Sequence, residues 1–206
     1  MNQQHEYIGT RKLLIGIVLA VITFWLFANS LINVIPNLQT SFGSYLSTIS
    51  IAVSLTALFC GMFVVGAGSL ADYFGRVRLT IIGLWLNIFG SLLIIVSDYI
   101  PLLLMGRAIQ GLSAALIMPA TLSLIKAYYH GDKRQRALSL WSIGSWGGSG
   151  FASLFGGMIA TFLSWRWIFV FSIIVPLIAV LLIKGTPESK NQHASSRPVS
   201  YTHLTL

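Results

Sequence analysis

Apolar segments close to the ~20 residues needed to cross a bilayer recur along almost the whole chain, and few folds remain open to a polypeptide built that way. Six runs read as spans, at about 13–35, 47–70, 79–97, 100–125, 137–161 and 166–184. Hydrophobic residues make up 55% of the sequence and charged residues only 9%, far less charge than a soluble domain of this size carries on its surface. The expected class is an all-α polytopic membrane protein. The first run is too long for a signal peptide, and no small-residue cleavage pattern follows it.

The net charge of +8 could suggest a nucleic-acid partner, but its placement argues against one. With six spans and a cytoplasmic N-terminus, Arg11, Lys12, Arg76, Arg78, Lys126, Lys133, Arg134, Arg136, Lys184 and Lys190 all fall on the inner side. The outer loops receive only Arg166, while Arg107 lies within a span. Such a bias sets orientation in a membrane. The basic excess is therefore topological: the expected partner is the lipid bilayer of the cell membrane, and no nucleic acid is expected.

Between the second and third runs lies Gly68-Ser-Leu-Ala-Asp72-Tyr-Phe-Gly75-Arg76-Val-Arg78. A hairpin turn rarely needs two glycines, an acid and two arginines merely to orient the chain. The glycines permit tight turns and close backbone approach, and Asp72 is suited to a helix N-terminus, where partial positive charge favours a carboxylate. The segment reads as a loop that holds two moving parts in register. The other connections are plainer: Pro36 to Leu46 carries no charge, Ser97 to Pro101 is a tight polar turn, and Tyr128 to Arg136 is basic. Six spans with short loops make one compact bundle. Trp165 and Trp167, on either side of Arg166, fit an interfacial anchor at the start of the sixth span.

Within the spans, Arg107 is the costliest residue. An arginine in the bilayer costs at least ~2.5–3.5 kcal/mol and normally faces a cavity or a partner. Gln110 lies one turn along on the same face. None of the five acids (Glu6, Asp72, Asp98, Asp132, Glu188) sits deep in a span, so backbone carbonyls and water, or sequence outside this chain, must balance the charge. In the first span Asn29 and Asn33 share a helical face with Trp25 a turn earlier. Amides in a membrane either bond neighbouring helices or line a wet path, and Trp25 with Phe24 and Phe27 would suit flat aromatic ligands. In the fifth span Gly144, Gly148, Ala152, Gly156 and Ala160 recur every four residues, beside a second stripe of Ser145, Ser149, Ser153 and Gly157. Small residues at this spacing let helices approach closely, whether for static packing or for sliding.

Cys60 is the single cysteine and reads as a small buried apolar residue. His5, His130, His193 and His203 fall in loops or tails, so no metal site is expected. Beyond Thr186-Pro-Glu-Ser-Lys190 the apolar pattern stops, and the stretch from Ser195 to Leu206 reads as a translated adapter junction rather than native protein. The expected organisation is a cytoplasmic N-terminal segment over 1–12, a six-span unit over 13–186, and over 187–206 the start of a cytoplasmic linker followed by that non-native tail.

These motifs together resemble the major facilitator superfamily, in particular its drug:proton antiporters of the fourteen-span type, over roughly residues 11–190. The 68–78 segment is similar to the superfamily's loop 2–3 motif, Leu103 to Gly111 to its span-four motif, and Trp165-Arg-Trp-Ile-Phe169 to the start of span six in these exporters. The resemblance implies an N-terminal six-helix bundle of two three-helix inverted repeats. It also implies that the chain is a fragment whose C-terminal half is missing. Arg107 and Gln110 would couple protons. Gly68, Asp72, Gly75, Arg76 and Arg78 would form a gate in which Asp72 caps a helix of the other half. Trp25, Asn29 and Asn33 would line the cavity, and Gly144, Gly148, Ala152, Gly156 and Gly157 would pack span five. Two departures stand out. The span-five motif usually ends Gly-Pro-x-x-Gly-Gly, where this chain has Ala152-Ser153-Leu-Phe-Gly156-Gly157. The acid usual near Phe27 or Ala28 is absent.

The implied activity is proton-coupled efflux of small amphiphilic drugs such as quinolones, with no cofactor and the proton gradient as energy source. One proton entering down ~100 mV yields about 2.3 kcal/mol, enough for roughly a fifty-fold gradient of a neutral solute. The sequence holds no P-loop lysine motif, in keeping with secondary transport. Two alternatives share the fold: a permease for uptake of a metabolite, and a half-transporter inactive by itself. An enzyme is not expected, because no histidine or paired carboxylate forms a plausible catalytic cluster.

Overall fold

The computed structural model describes residues 7–190, apart from the side chains of residues 27–29 and 160. The histidines at 5, 193 and 203, the N-terminal six residues, the tail from 191 onward and the Asn29 side chain lie outside the described residues. Everything described is helix or connection, with no strand. The helices are α1 (Arg11–Ser30), α2 (Ile35–Phe42), α3 (Leu46–Phe74), α4 (Arg76–Ile95), α5 (Ile100–Tyr128), α6 (Gly131–Ser142), α7 (Gly148–Phe162) and α8 (Arg166–Ile183). A 3-10 turn, Leu31–Val34, joins α1 to α2, and a π-helical segment, Ile143–Gly147, joins α6 to α7.

Among the described residues, five helical stretches are long and apolar enough to cross a membrane: Arg11–Phe42, Leu46–Phe74, Arg76–Ile95, Ile100–Tyr128 and Arg166–Ile183. The expected fifth span at 137–161 is not among them. It is realised as α6, the π-helical segment and α7, where glycine and serine dilute the hydropathy. The uncharged Pro36–Leu46 connection is also largely helical, because Pro36 occupies the first turn of α2, the position that tolerates a missing N–H. Gly43 ends that helix with φ 55°.

Exposed residues on α3, the π-helical segment and α7 include Met62 (65% exposed), Val65 (81%), Trp146 (73%) and Phe151 (69%), a surface suited to hydrocarbon and costly in water. The packing has an exchange symmetry. The α1 stretch packs on α7 and α8, α5 packs on α3 and α4, and α4 packs on α8. Swapping the first three spans with the last three maps this pattern onto itself, as two inverted three-helix repeats require. One apolar cluster, including Leu13, Ile17, Leu124 and Ile183, fills the end near Gly75. Another, including Leu31, Leu38, Leu103 and Phe169, fills the end near Asp98.

The segment read as a loop at 68–78 is almost wholly helical. Helix α3 runs through Phe74 and α4 begins at Arg76, so Gly75 alone makes the turn. Its φ of 119° and ψ of 136° suit glycine. Gly68 lies inside α3, where a Cβ would sit at an ordinary contact distance, 3.7 Å, from the Pro119 side chain of α5, so neither a turn nor a close approach requires glycine there.

Trp165 is not an interfacial anchor. It is 3% exposed, its Nε1 donates to Ser41 Oγ at 2.9 Å, and the Arg166 guanidinium carbon lies 4.6 Å from the centre of its ring. Only Trp167 faces outward, at 46% exposure. Arg166 meanwhile donates to the carbonyls of Ile95 at 3.1 Å and Ser97 at 3.1 Å, at the C-terminal end of α4.

Candidate functional site

Arg107 on α5 is the largest of the fully buried side chains, at 0% exposure. Glycines on α5 bring the neighbouring helices close enough to satisfy it. A Cβ on Gly111 would meet the Thr56 carbonyl at 2.5 Å, so α3 lies against α5 there. A Cβ on Gly106 would meet the Gly90 carbonyl at 2.9 Å, so α4 does the same on its own side. The Arg107 guanidinium reaches the carbonyls of Ala52 (Nε, 3.2 Å) and Val53 (Nη2, 3.4 Å) on α3. Its Nη1 donates to Gln110 Oε1 at 2.9 Å. Thr56 Oγ1 returns a bond to the Arg107 carbonyl at 3.1 Å. Backbone carbonyls and a side-chain amide thus carry part of what the sequence left open.

The network continues into α4 and α8, through residues the sequence did not single out. Gln110 Nε2 donates to Ser91 Oγ at 3.0 Å. Ser91 Oγ lies 2.7 Å from Ser172 Oγ on α8, and Asn87 Nδ2 donates to Ser172 Oγ at 3.1 Å and to its carbonyl at 2.9 Å. Asn87, Ser91 and Ser172 are at most 4% exposed. A four-helix polar belt therefore lies between the two apolar clusters. The signal available was three small polar residues on predicted spans, which is too common a pattern to choose from.

At the Gly75 end, Asp72 and Arg76 form an ion pair. Arg76 Nε and Nη2 lie 3.0 and 2.8 Å from Asp72 Oδ1. Asp72 therefore pairs within its own hairpin instead of capping a helix in this chain. Helix α4 is capped by Glu188, which follows α8: its carboxylate accepts the N–H groups of Val77 at 2.9 Å and Arg78 at 3.0 Å. Arg76 also bonds Ser189, through Nη1 to its Oγ at 3.2 Å and through its backbone N–H to the carbonyl at 3.1 Å. Arg78 is exposed, and its backbone N–H is the group that meets Glu188. The sequence missed Glu188, whose partners lie more than a hundred residues away. Nearby, Gly9 N–H donates to the Tyr128 carbonyl at 2.8 Å and Tyr129 Oη to the Thr10 carbonyl at 2.7 Å, tying the N-terminal segment to this end.

The small stripe of the π-helical segment and α7 packs on α1. Cβ atoms on Gly144, Gly148 and Gly156 would approach Val18, Trp25 and Ser30 at 3.3, 3.2 and 3.1 Å, and Ser30 Oγ donates to the Ala152 carbonyl at 3.1 Å. Gly157 does not belong to this contact, with no atom within 4 Å of an added Cβ. One residue along from Gly156, it points elsewhere. Trp25 and Asn33 serve the same interface: Trp25 Nε1 donates to Ser145 Oγ at 2.8 Å, its ring stacks on Trp146 at 5.8 Å, and Asn33 Nδ2 donates to the Ser153 carbonyl at 3.2 Å. Where the motif usually carries proline this chain has Ser153, and the departure from regular helix lies upstream in the π-helical segment.

A bundle of apolar helices in inverted triplets, with a buried arginine in a polar belt and a charged hairpin at one end, defines the class: a polytopic helical membrane protein. Its family follows from direct comparison. The chain belongs to the Major Facilitator Superfamily, whose family model matches residues 13–204. It is 68% identical over 198 residues to the Quinolone resistance protein NorB of Staphylococcus aureus strains JH9 and Newman. The alignment covers 96% of this chain and 43% of those relatives' length. Among solved structures, the peptide transporter POT in complex with sulfate shares the fold, with a TM-score of 0.75 over 89% of this chain and 41% of that one at 15% identity.

Proposed function

We propose that this chain is the first half of a proton-coupled multidrug exporter in the cell membrane, with its N-terminus and the Gly75 end facing the cytoplasm. The 68% identity to proteins named for quinolone resistance supports drug efflux. The observation that carries the coupling is Arg107, held at 0% exposure between α3 and α5 where a fixed charge serves no apolar packing purpose. The gathering of Arg11, Arg76, Arg78, Lys126 and Arg134 at helix ends on the Gly75 side supports the orientation.

In this reading Arg107 and Gln110 respond to protonation and rearrange their bonds to α3. Asp72 with Arg76, framed by Gly68, Gly75 and Arg78, forms the inner gate against the other half of the transporter. The region of Trp25, Asn29 and Asn33 borders the drug path, and the small face of α7 at Gly144, Gly148, Ala152 and Gly156 lets α1 and α7 rock against each other. The proton gradient supplies the energy and no cofactor takes part. Drugs of amphiphilic, quinolone-like chemistry are the substrates.

The test uses everted vesicles holding a full-length transporter with this chain as its first half. Drug addition to the unsubstituted protein releases protons from energised vesicles. Arg107→Ala abolishes that release; retained drug-dependent proton movement would remove Arg107 from the coupling role.

A further inference from the structure

We propose that Ser91 is a positioning residue for the Arg107–Gln110 pair, locked in place by Ser172 and Asn87; this rests on the coupling role of Arg107 given above. The argument is one of hydrogen-bond direction. A guanidinium has five donors and no acceptor, so Gln110 must present Oε1 to Arg107, as it does at 2.9 Å. The other end of that amide is then a donor, and it points at Ser91 Oγ at 3.0 Å. Ser91 must accept there. Its single proton goes to the Asn87 carbonyl at 2.8 Å, which makes Ser172 the donor in the 2.7 Å contact between the two hydroxyls. Ser172 in turn accepts from Asn87 Nδ2 at 3.1 Å. The direction of each bond from Arg107 through Gln110 and Ser91 to Ser172 is thereby assigned, and the reversed amide would set Gln110 Nε2 against Arg107 Nη1, donor to donor.

The consequence concerns coupling. If Arg107 changes partners on protonation, Gln110 must either keep its orientation or turn over, and Ser91 sets how readily it turns. The small side chain at Ser91 sits next to Gly90, where α4 and α5 touch backbone to backbone. That close approach brings the hydroxyl within reach of Gln110. Helices α4 and α8 therefore act on the arginine of α5 through Gln110.

The experiment measures two quantities in vesicles carrying the full-length transporter: gradient-driven drug efflux, and downhill drug equilibration with the gradient collapsed. Ser91→Ala is expected to lower gradient-driven efflux roughly tenfold, the scale of losing one buried hydrogen bond, while downhill equilibration stays within about twofold. In a Gln110→Ala background, Ser91→Ala is expected to add nothing, since its effect passes through Gln110. Equal losses in both assays would mark a merely structural role and overturn the proposal, as would additive losses in the double variant. Ser172→Ala provides a second variant should Ser91→Ala fold poorly, with a smaller loss of the same pattern expected and unchanged coupling overturning the lock. Arg107→Ala separates the two levels. Coupling lost there but intact in Ser91→Ala overturns the positioning role alone, whereas coupling intact in Arg107→Ala overturns the underlying reading and this proposal with it.

Discussion

Arg166 and Glu188 bracket one helix from opposite ends. Arg166, the first residue of α8, donates to the carbonyls of Ile95 and Ser97 where α4 finishes. Glu188, a few residues past the other end of α8, accepts the N–H groups of Val77 and Arg78 where α4 begins. Each charge opposes the partial charge of the helix terminus it meets. The antiparallel pair α4 and α8, also joined at mid-depth by Asn87 and Ser172, is thus fixed at three levels.

Glu188 is expected to be worth about 1–2 kcal/mol as a cap, within the range for a carboxylate at a helix N-terminus. Glu188→Ala should lower the unfolding midpoint of the chain in detergent, and Glu188→Gln, which keeps an oxygen acceptor, should recover part of the loss. Equal midpoints for all three proteins would contradict the cap.

Gly75 faces two constraints at once. Its φ of 119° is unfavourable for a side chain, and an added Cβ would lie 2.4 Å from the Glu188 carboxyl carbon. Gly75→Ala should destabilise by about 1–3 kcal/mol. Adding Glu188→Ala to it should relieve the clash but not the backbone strain, so the double variant stays below the single Glu188→Ala in thermal melts.

Arg107→Lys is not a conservative change here. The guanidinium divides its donors between two α3 carbonyls and a Gln110 oxygen on α5, a spread that a point ammonium cannot match. Gradient-driven efflux should fall nearly as far as in Arg107→Ala, and near-normal efflux by the lysine variant would show that charge alone suffices.

The two adjacent glycines of α7 should respond oppositely to substitution. Gly156→Leu drives side-chain atoms into Ser30, 3.1 Å from the first added carbon, and should separate α1 from α7. Gly157→Ala meets nothing within 4 Å and should stabilise the helix by about 0.5–1 kcal/mol through lost unfolded-state freedom. Detergent melts of the purified chain distinguish the pair.

Tyr129 supplies a pH dependence. Burial, aided by nearby Tyr7, pushes its phenol up to about 12. The folded chain thus holds the Tyr129 proton where the unfolded chain, near the ordinary pKa of ~10, has released it. Stability should fall as pH rises from about 10 towards 12, because the unfolded state then binds fewer protons. Tyr129→Phe should flatten that decline in detergent melts; an unchanged slope would show that Tyr129 does not cause it.

The spans were largely legible because hydropathy is local and additive: a run of apolar residues identifies itself without reference to its neighbours. Arg107 and Gln110 were legible for a related reason, since a charge in such a run is costly wherever the run packs and a spacing of three sets both on one helix face. The hairpin residues Asp72 and Arg76 were also visible as a group, four apart. Trp165 was misread because an indole beside an arginine suits an interface and a buried contact equally well. Nothing in the sequence reveals that Ser41 lies within reach of its N–H.

The sequence by itself determined a helical membrane bundle, the position of its buried charge and the charged hairpin at one end. The tertiary structure alone decided who answers whom. Glu188 caps α4 while Asp72 pairs with Arg76, Gly144, Gly148 and Gly156 lie against α1 where Gly157 does not, and Ser91 accepts from Gln110. The physical reason is range. Bilayer partitioning and helix formation depend on neighbours within a few turns, whereas a hydrogen bond between Val77 and Glu188 exists only once α8 has returned the chain to the start of α4.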